Sequence, residues 1–300
     1  IHSDGSLTPE ALKAAYQQHG YQFLLYSDHN VNTDFRALNE ANFIALQGFE
    51  GNLIVPITPP PHKEFHLLFL KTPDRDLGGK AFQPYAPLQH VPQTLYDGTR
   101  ACVQAYVKAQ QARGYMAIFN HPYWSFNDEE DIACLEGLLG LEIYNYGTQI
   151  CENCGNSDLM YDLRLRKGHR LWCFAADDNH NHAPFDSPAN DSFGGFIVVK
   201  AKALNEESLL EAITDGSFYA SMGPEIQDFT VQDGRAYLTC SPAQRVYITD
   251  DWRHYCLGCQ DGSGLCEFSC DVRPEAQYVR AEVVDALGRK AYTNPIWLRG

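Results

Sequence analysis

The stretch TPEALKAAYQQHGYQFLLYSDHN at residues 8–30 decides the expected fold. Thr8 is a capping residue, Pro9 suits the first position of a helix, and Glu10 favours the positive end of the helix dipole. Leu12, Ala15 and Tyr16 follow at helical spacing, and Gly20 is placed as the stop. The apolar run at 21–26 then predicts a buried strand ending on Ser27, Asp28, His29 and Asn30. The unit is a helix followed by a strand, with polar side chains gathered at the strand's C-terminal end.

Outward from this stretch the unit recurs. Strands are expected at 43–47, running into Gly48, Phe49 and Glu50, and at 65–70, with His66 inside. Others are expected at 115–119, leading into Asn120, His121 and Pro122, at 141–144, at 171–175, leading into Asp177, Asp178, Asn179 and His180, and at 196–200. Helical spacing covers 101–113, 158–167 and 206–214. Such alternation predicts an α/β fold of parallel strands with helices packed outside, and sites at the C-terminal ends of the strands. After Gly223 and Pro224 the pattern changes to short β runs separated by turn residues. The chain is therefore expected to divide into 1–223, an α/β unit, and 224–300, a small antiparallel β-sandwich-like domain with a hairpin turn near 285–288.

With 44% apolar residues among 300, the chain has enough material for a sizeable core. A net charge of −15 argues against a nucleic-acid polymer as partner, because a phosphate backbone calls for a basic face. A small phosphorylated substrate remains compatible if metal ions supply positive charge locally. No run approaches the roughly 18 to 20 apolar residues of a membrane-spanning helix, and no signal-peptide core opens the sequence, so no membrane partner and a cytoplasmic location are expected.

The ten cysteines do not read as an extracellular disulfide framework in a chain of this size. Cys102, Cys134 and Cys173 sit in apolar or helical contexts and are expected in the core. Cys256-x-x-Cys259 with Cys266-x-x-x-Cys270 fits either a four-thiolate zinc site or reduced thiols. Cys151-x-x-Cys154 is a candidate redox or metal pair, Gly78-Gly79-Lys80 lacks phosphate-loop spacing, and 58–62 (TPPPH) reads as a stiff loop.

Asp28, His29, Glu50, His66, His121, Asp178 and His180 fall at or near predicted strand ends. Singly, each has an ordinary structural explanation: a hydrogen-bonded core histidine, a cap, a loop. Together, imidazoles and carboxylates suit Zn²⁺, Mn²⁺ or Fe²⁺, and a carboxylate such as Glu50 can bridge two ions. Two ions about 4 Å apart hold a hydroxide nucleophile and stabilise both attacking and leaving oxygens.

The order of these pieces matters as much as their chemistry. Ser3-Asp4-Gly5, Thr8-Pro9-Glu10, Ser27-Asp28-His29-Asn30, Gly48-Phe49-Glu50, His66, Asn120-His121-Pro122, Glu142-Ile143-Tyr144-Asn145 and Asp177-Asp178-Asn179-His180 succeed one another through about residue 225. A tail ending in Asn294-Pro295-Ile296 follows. The set resembles the polymerase-and-histidinol-phosphatase (PHP) family, particularly its two-domain branch of metal-dependent phosphoesterases.

The resemblance implies a (β/α)7 barrel and two or three divalent metal ions (Zn, Mn or Fe). Their implied ligands are Asp4, His29, Glu50, His66, His121, Asp178 and His180, with Glu50 bridging. Asp28 is either a further ligand or the partner that orients a neighbouring imidazole. The family carries a His-x-His on its first strand, ahead of Ser-Asp-Gly, and no such pair precedes Ser3 here. Either the first strand is missing from this sequence, or His2 is a displaced survivor of the pair. The implied activity is hydrolysis of a small phosphomonoester or nucleotide through metal-bound hydroxide. Asp28 or His180 would protonate the leaving oxygen. Apart from the resemblance, Trp124, Phe126 and Tyr146 either bound the substrate or serve only as packing residues. Two alternatives stay open: a metal-dependent carboxylic ester or amide hydrolase, and a non-catalytic metal-binding regulatory module.

Overall fold

The computed structural model describes residues 5–54, 63–73, 87–90, 94–95, 97, 99–252, 255–259 and 264–299. The opening helix forms as its sequence dictates. The Thr8 hydroxyl accepts from the Ala11 amide at 3.2 Å, Pro9–Gln18 is helical, and Leu12 and Tyr16 are buried against Tyr26, Phe43 and Ala45. The strand that follows is short, Phe23–Leu25, and pairs in parallel with Ile44–Leu46. A parallel bridge between His29 and Glu50 extends that pairing toward the polar residues.

The central sheet has six strands in the order Trp172–Ala176, Leu138–Asn145, Tyr115–Phe119, Phe65–Lys71, Gly48–Ile54 and Thr94–Leu95. The first three are parallel to one another. Phe65–Lys71 runs antiparallel to both of its neighbours. Helices including Arg100–Gln111 and Asp158–Arg166 pack against this sheet, burying Val103, Val107, Tyr161 and Leu165 in its main core.

The expected (β/α)7 barrel is not what forms. Among the described residues no barrel closes: the path ends on Trp172–Ala176 at one side and Thr94–Leu95 at the other. The reason lies in connection length and direction. A parallel neighbour requires a crossover of about a dozen residues or more, usually a helix, whereas only residues 55–64 separate Gly48–Ile54 from Phe65–Lys71. The chain therefore reverses there, and the sheet becomes mixed and open.

A second sheet of seven strands contains Phe196–Val199, Phe218–Ser221, Lys290–Thr293, Tyr278–Val284, Arg245–Asp250 and Tyr255–Cys259, with Ile296–Trp297 paired to Tyr278–Val284. Two of these strands precede residue 223 and the rest follow it, so the segments 1–223 and 224–300 share a sheet. A three-stranded sheet of Ile226–Gln232, Arg235–Ala243 and Leu265–Asp271 packs on it through Ile226, Leu238, Val246, Ile248 and Val283. The turn between Tyr278–Val284 and Lys290–Thr293 falls at 285–288, where Gly288 has φ 78° and its amide donates to the Asp285 carbonyl. Among the described residues no helix is long and apolar enough to cross a membrane.

Candidate metal centre

Three neighbouring strands supply the centre. In Gly48–Ile54, Glu50 points inward and is almost fully buried (1% exposed). In Phe65–Lys71, His66 follows the buried Phe65 and lies on the opposite face from it, next to the antiparallel Glu50 strand. Tyr115–Phe119 ends directly before Asn120 and His121.

The atoms converge. His66 Nδ1 is 3.2 Å and His121 Nε2 is 3.5 Å from Glu50 Oε1. The other carboxylate oxygen, Oε2, lies 3.7 Å from His29 Nδ1. Asp178 Oδ2, just past the end of Trp172–Ala176, is 3.8 Å from His121 Nε2. Among the described residues, Glu50, His66 and His121 form the one group of three or more such side chains with donor atoms within 4.8 Å of one another.

Neighbouring groups hold these side chains in place. Asn120 Nδ2 donates to Glu50 Oε1 at 2.8 Å. His121 Nδ1 pairs with the buried Ser125 hydroxyl at 3.1 Å, and its amide donates to Glu142 Oε2 at 2.7 Å. Asn145 Nδ2 donates to both Glu142 and Asp178, at 3.1 and 3.0 Å. His121 (φ 21°) and Asp178 (φ 50°) carry positive φ, a conformation rare outside glycine that gathers at functional sites.

The donor chemistry fits a divalent ion. Tetrahedral ligands at roughly 2.0 to 2.2 Å from a metal stand about 3.3 to 3.6 Å apart, close to the separations of His66 and His121 from Glu50 Oε1. The second oxygen of Glu50 turns toward His29. Without an ion, the same atoms make imidazole–carboxylate contacts. Burial pushes the His66 imidazole down, but the Glu50 charge, with hydrogen bonds to Glu50 and Glu64, outweighs it and raises the ring to about 10. His121 is also raised: hydrogen bonding to Glu50 and the Asp178 charge overcome its desolvation. Burial pushes the Glu142 carboxyl up to about 7.

The remaining expected site residues are placed differently. His180 Nδ1 contacts the Asp178 carbonyl at 3.0 Å, and its ring lies 5.9 Å from that of His182. Asp28 accepts from the Thr33 hydroxyl at 3.0 Å, and its carbonyl accepts from the Glu50 amide. Asp4 and His2 lie outside the described residues, as do Gly78-Gly79-Lys80 and the 58–62 loop. Tyr146 is occupied in packing, its ring lying against the backbone of Gly194.

Asn120, Glu142, Asn145 and Ser125 surround the centre without having been assigned a role from sequence. Glu142 did carry a signal, since it is a lone carboxylate within the apolar run LLGLEIY. Asp177 is instead a structural anchor. Its carboxylate accepts from Tyr16 and from the amides of Phe193, Gly194 and Gly195, fastening the loop before Phe196–Val199.

The cysteines make no comparable group among the described residues. Cys256 and Cys270 hydrogen-bond each other across the sandwich, whereas Cys259 is exposed. Cys173 is buried, and Cys102 and Cys134 pack against the same core. No protein-family model matches the chain, and no curated protein or solved structure is detectably similar to it.

Proposed function

We propose that Glu50, His66 and His121 hold a divalent metal ion and that the chain is a metal-dependent phosphoesterase acting on a small phosphomonoester. The observation that carries the metal assignment is the convergence of two imidazoles and one carboxylate on a buried point. His29 and Asp178 stand at its edges as further ligands. The ordered motif resemblance to PHP phosphoesterases supports the choice of reaction; the proposal requires no barrel, only the convergence of these strand ends.

Held by Glu50, His66 and His121, a divalent ion would supply Lewis acidity and positive charge for the phosphoryl oxygens. The chain's own groups set the geometry. Asn120 holds Oε1 of Glu50, Ser125 fixes the ring of His121, and Asn145 ties Asp178 to Glu142. Partners of this kind orient ligands and tune their basicity. His180 and Asp28 remain the candidates for delivering a proton to the leaving oxygen.

The test is to purify the chain, load it separately with Zn²⁺, Mn²⁺ and Fe²⁺, measure bound metal, and assay phosphomonoesters beside carboxylic esters. Metal retention with release of inorganic phosphate is the expected result. Hydrolysis of carboxylic esters alone would overturn the phosphoester assignment. Metal binding without turnover on either class would leave a metal-binding module, and no retained metal would remove the basis of the proposal.

A further inference from the structure

The turn that follows His121 carries three aromatic side chains in four residues, Tyr123, Trp124 and Phe126, and the backbone holds them rigidly. The Ser125 amide donates to the His121 carbonyl at 3.2 Å, Phe126 to Tyr123 at 3.2 Å, and Asn127 to Pro122 at 2.9 Å. The Ser125 carbonyl in turn accepts from the Glu64 amide at 3.2 Å, which ties the turn to the start of the His66 strand. Trp124 stands directly beside the metal-binding group. Its ring centroid is 5.0 Å from that of His121, edge to face, and 5.6 Å from that of His66.

Phe126 is harder to explain by stability. It is 71% exposed, so it gains little from burial. It also sits at φ 56°, a left-handed conformation that a bulky side chain rarely adopts. Tyr123, in the same turn, is 56% exposed. A fold that sought only stability would place glycine or asparagine at 126, as turns with positive φ usually do. Backbone tension and an exposed ring, in the same short turn that sets Trp124 against His121 and His66, indicate a binding role.

We propose that this turn is the substrate's specificity element: Trp124 and Phe126 receive a flat aromatic ring in the alcohol portion of the phosphomonoester. The inference rests on the phosphoesterase reading above and adds the class of leaving group. Ring against ring supplies orientation as well as contact, since aromatic pairs prefer offset or edge-to-face geometry. An alkyl chain of similar size lacks that term.

Two stable probes of matched charge test it, benzylphosphonate and butylphosphonate, titrated calorimetrically into the zinc-loaded full chain. The wild type is expected to bind the benzyl compound about tenfold more tightly. Phe126→Gly should shrink that ratio while leaving the melting temperature equal or higher, because glycine relaxes the left-handed backbone. A residue with a purely structural role would not separate the two readouts in this way. Trp124→Leu, which keeps an apolar side chain beside the histidines, should also shrink the ratio. Equal affinity of the two probes in the wild type, or an unchanged ratio in both variants, overturns the aromatic assignment alone. If the zinc-loaded chain binds neither phosphonate, the phosphoesterase reading itself falls and takes this inference with it.

Discussion

Replacing Glu50 by glutamine keeps the size of the side chain but removes the charge that two imidazoles face. The buried carboxylate lies within 3.5 Å of both His66 and His121, so the neutral amide leaves those rings without their counter-charge. Metal affinity is expected to fall by more than about a hundredfold. Asn120→Ala, which only frees the carboxylate to rotate, should cost about 10- to 100-fold. Competition with a chromogenic zinc chelator measures both, and equal losses would show that Asn120 is itself a ligand. Protonation gives an independent check. In the metal-free chain His66 titrates near 10, above the ordinary imidazole value of 6.5. A raised folded-state value stabilises the fold fully below pH 6.5, and that contribution is lost as pH rises toward about 10. The stability gap between wild type and His66→Gln, read from urea unfolding in chelator, should therefore narrow across that window. A ligand must also be deprotonated, so zinc binding at pH 8 should release a proton, visible as a dependence of binding heat on buffer ionisation enthalpy. Zero release at pH 8 would contradict the His66–Glu50 pairing.

The strand carrying Glu50 is positioned by what its neighbouring residue lacks. A Cβ on Gly51 would stand 2.3 Å from the Tyr106 hydroxyl and 2.8 Å from the Phe69 ring. Gly51→Ala should force Gly48–Ile54 away from the helix Arg100–Gln111 and cost about 1 to 3 kcal/mol, the usual penalty of overpacking. Glu50 would move with its strand, so metal affinity should drop in the same variant; a stability loss with unchanged affinity would show the centre to be mechanically isolated from its strand. Such couplings are poorly written in sequence. Apolar runs and stop residues do specify elements: 115–119 is a strand, the helix expected at 206–214 forms as Glu206–Thr214, and Thr99 and Thr8 cap their helices. The spacing of His and Glu at strand ends likewise announces a cluster. Strand direction is another matter, because alternation is the same read forward or backward. The run FHLLFLK looks like one more parallel strand and lies antiparallel on both sides. Gly48–Ile54 is harder still, since GFEGN has the composition of a turn and becomes a strand only because its glycine fits under Phe69 and Tyr106. The side-chain types that converge at the candidate centre were therefore legible, and the open, mixed sheet that presents them was not.

At the scale of the molecule, strands from both sides of residue 223 lie in one sheet. Phe218–Ser221 pairs with Lys290–Thr293, and Phe196–Val199 pairs with Phe218–Ser221 in turn. Asn294 accepts from the Cys173 amide at 2.8 Å and donates to the carbonyls of Gly216 and Phe218 at 3.0 Å. Tyr278 and Tyr292 sit in the same apolar core as Leu141, Tyr161 and Cys173. Arg280, its side chain 9% exposed, reaches Asp162 at 3.0 Å. Removing residues 224–300 would strip a strand of its hydrogen-bonded neighbour and open that core to water, so the fragment 1–223 should show no cooperative melt. The full chain should instead unfold in one calorimetric transition, the van't Hoff and calorimetric enthalpies agreeing. Asp162→Ala leaves a buried guanidinium without its carboxylate and should cost about 3 kcal/mol. Because the contact spans both segments, that loss should lower the whole transition without splitting it. Two separated transitions in the variant, or a well-folded 1–223 fragment that still retains zinc, would mean that the shared sheet is an addition to an already complete unit and that the metal centre stands without the C-terminal strands.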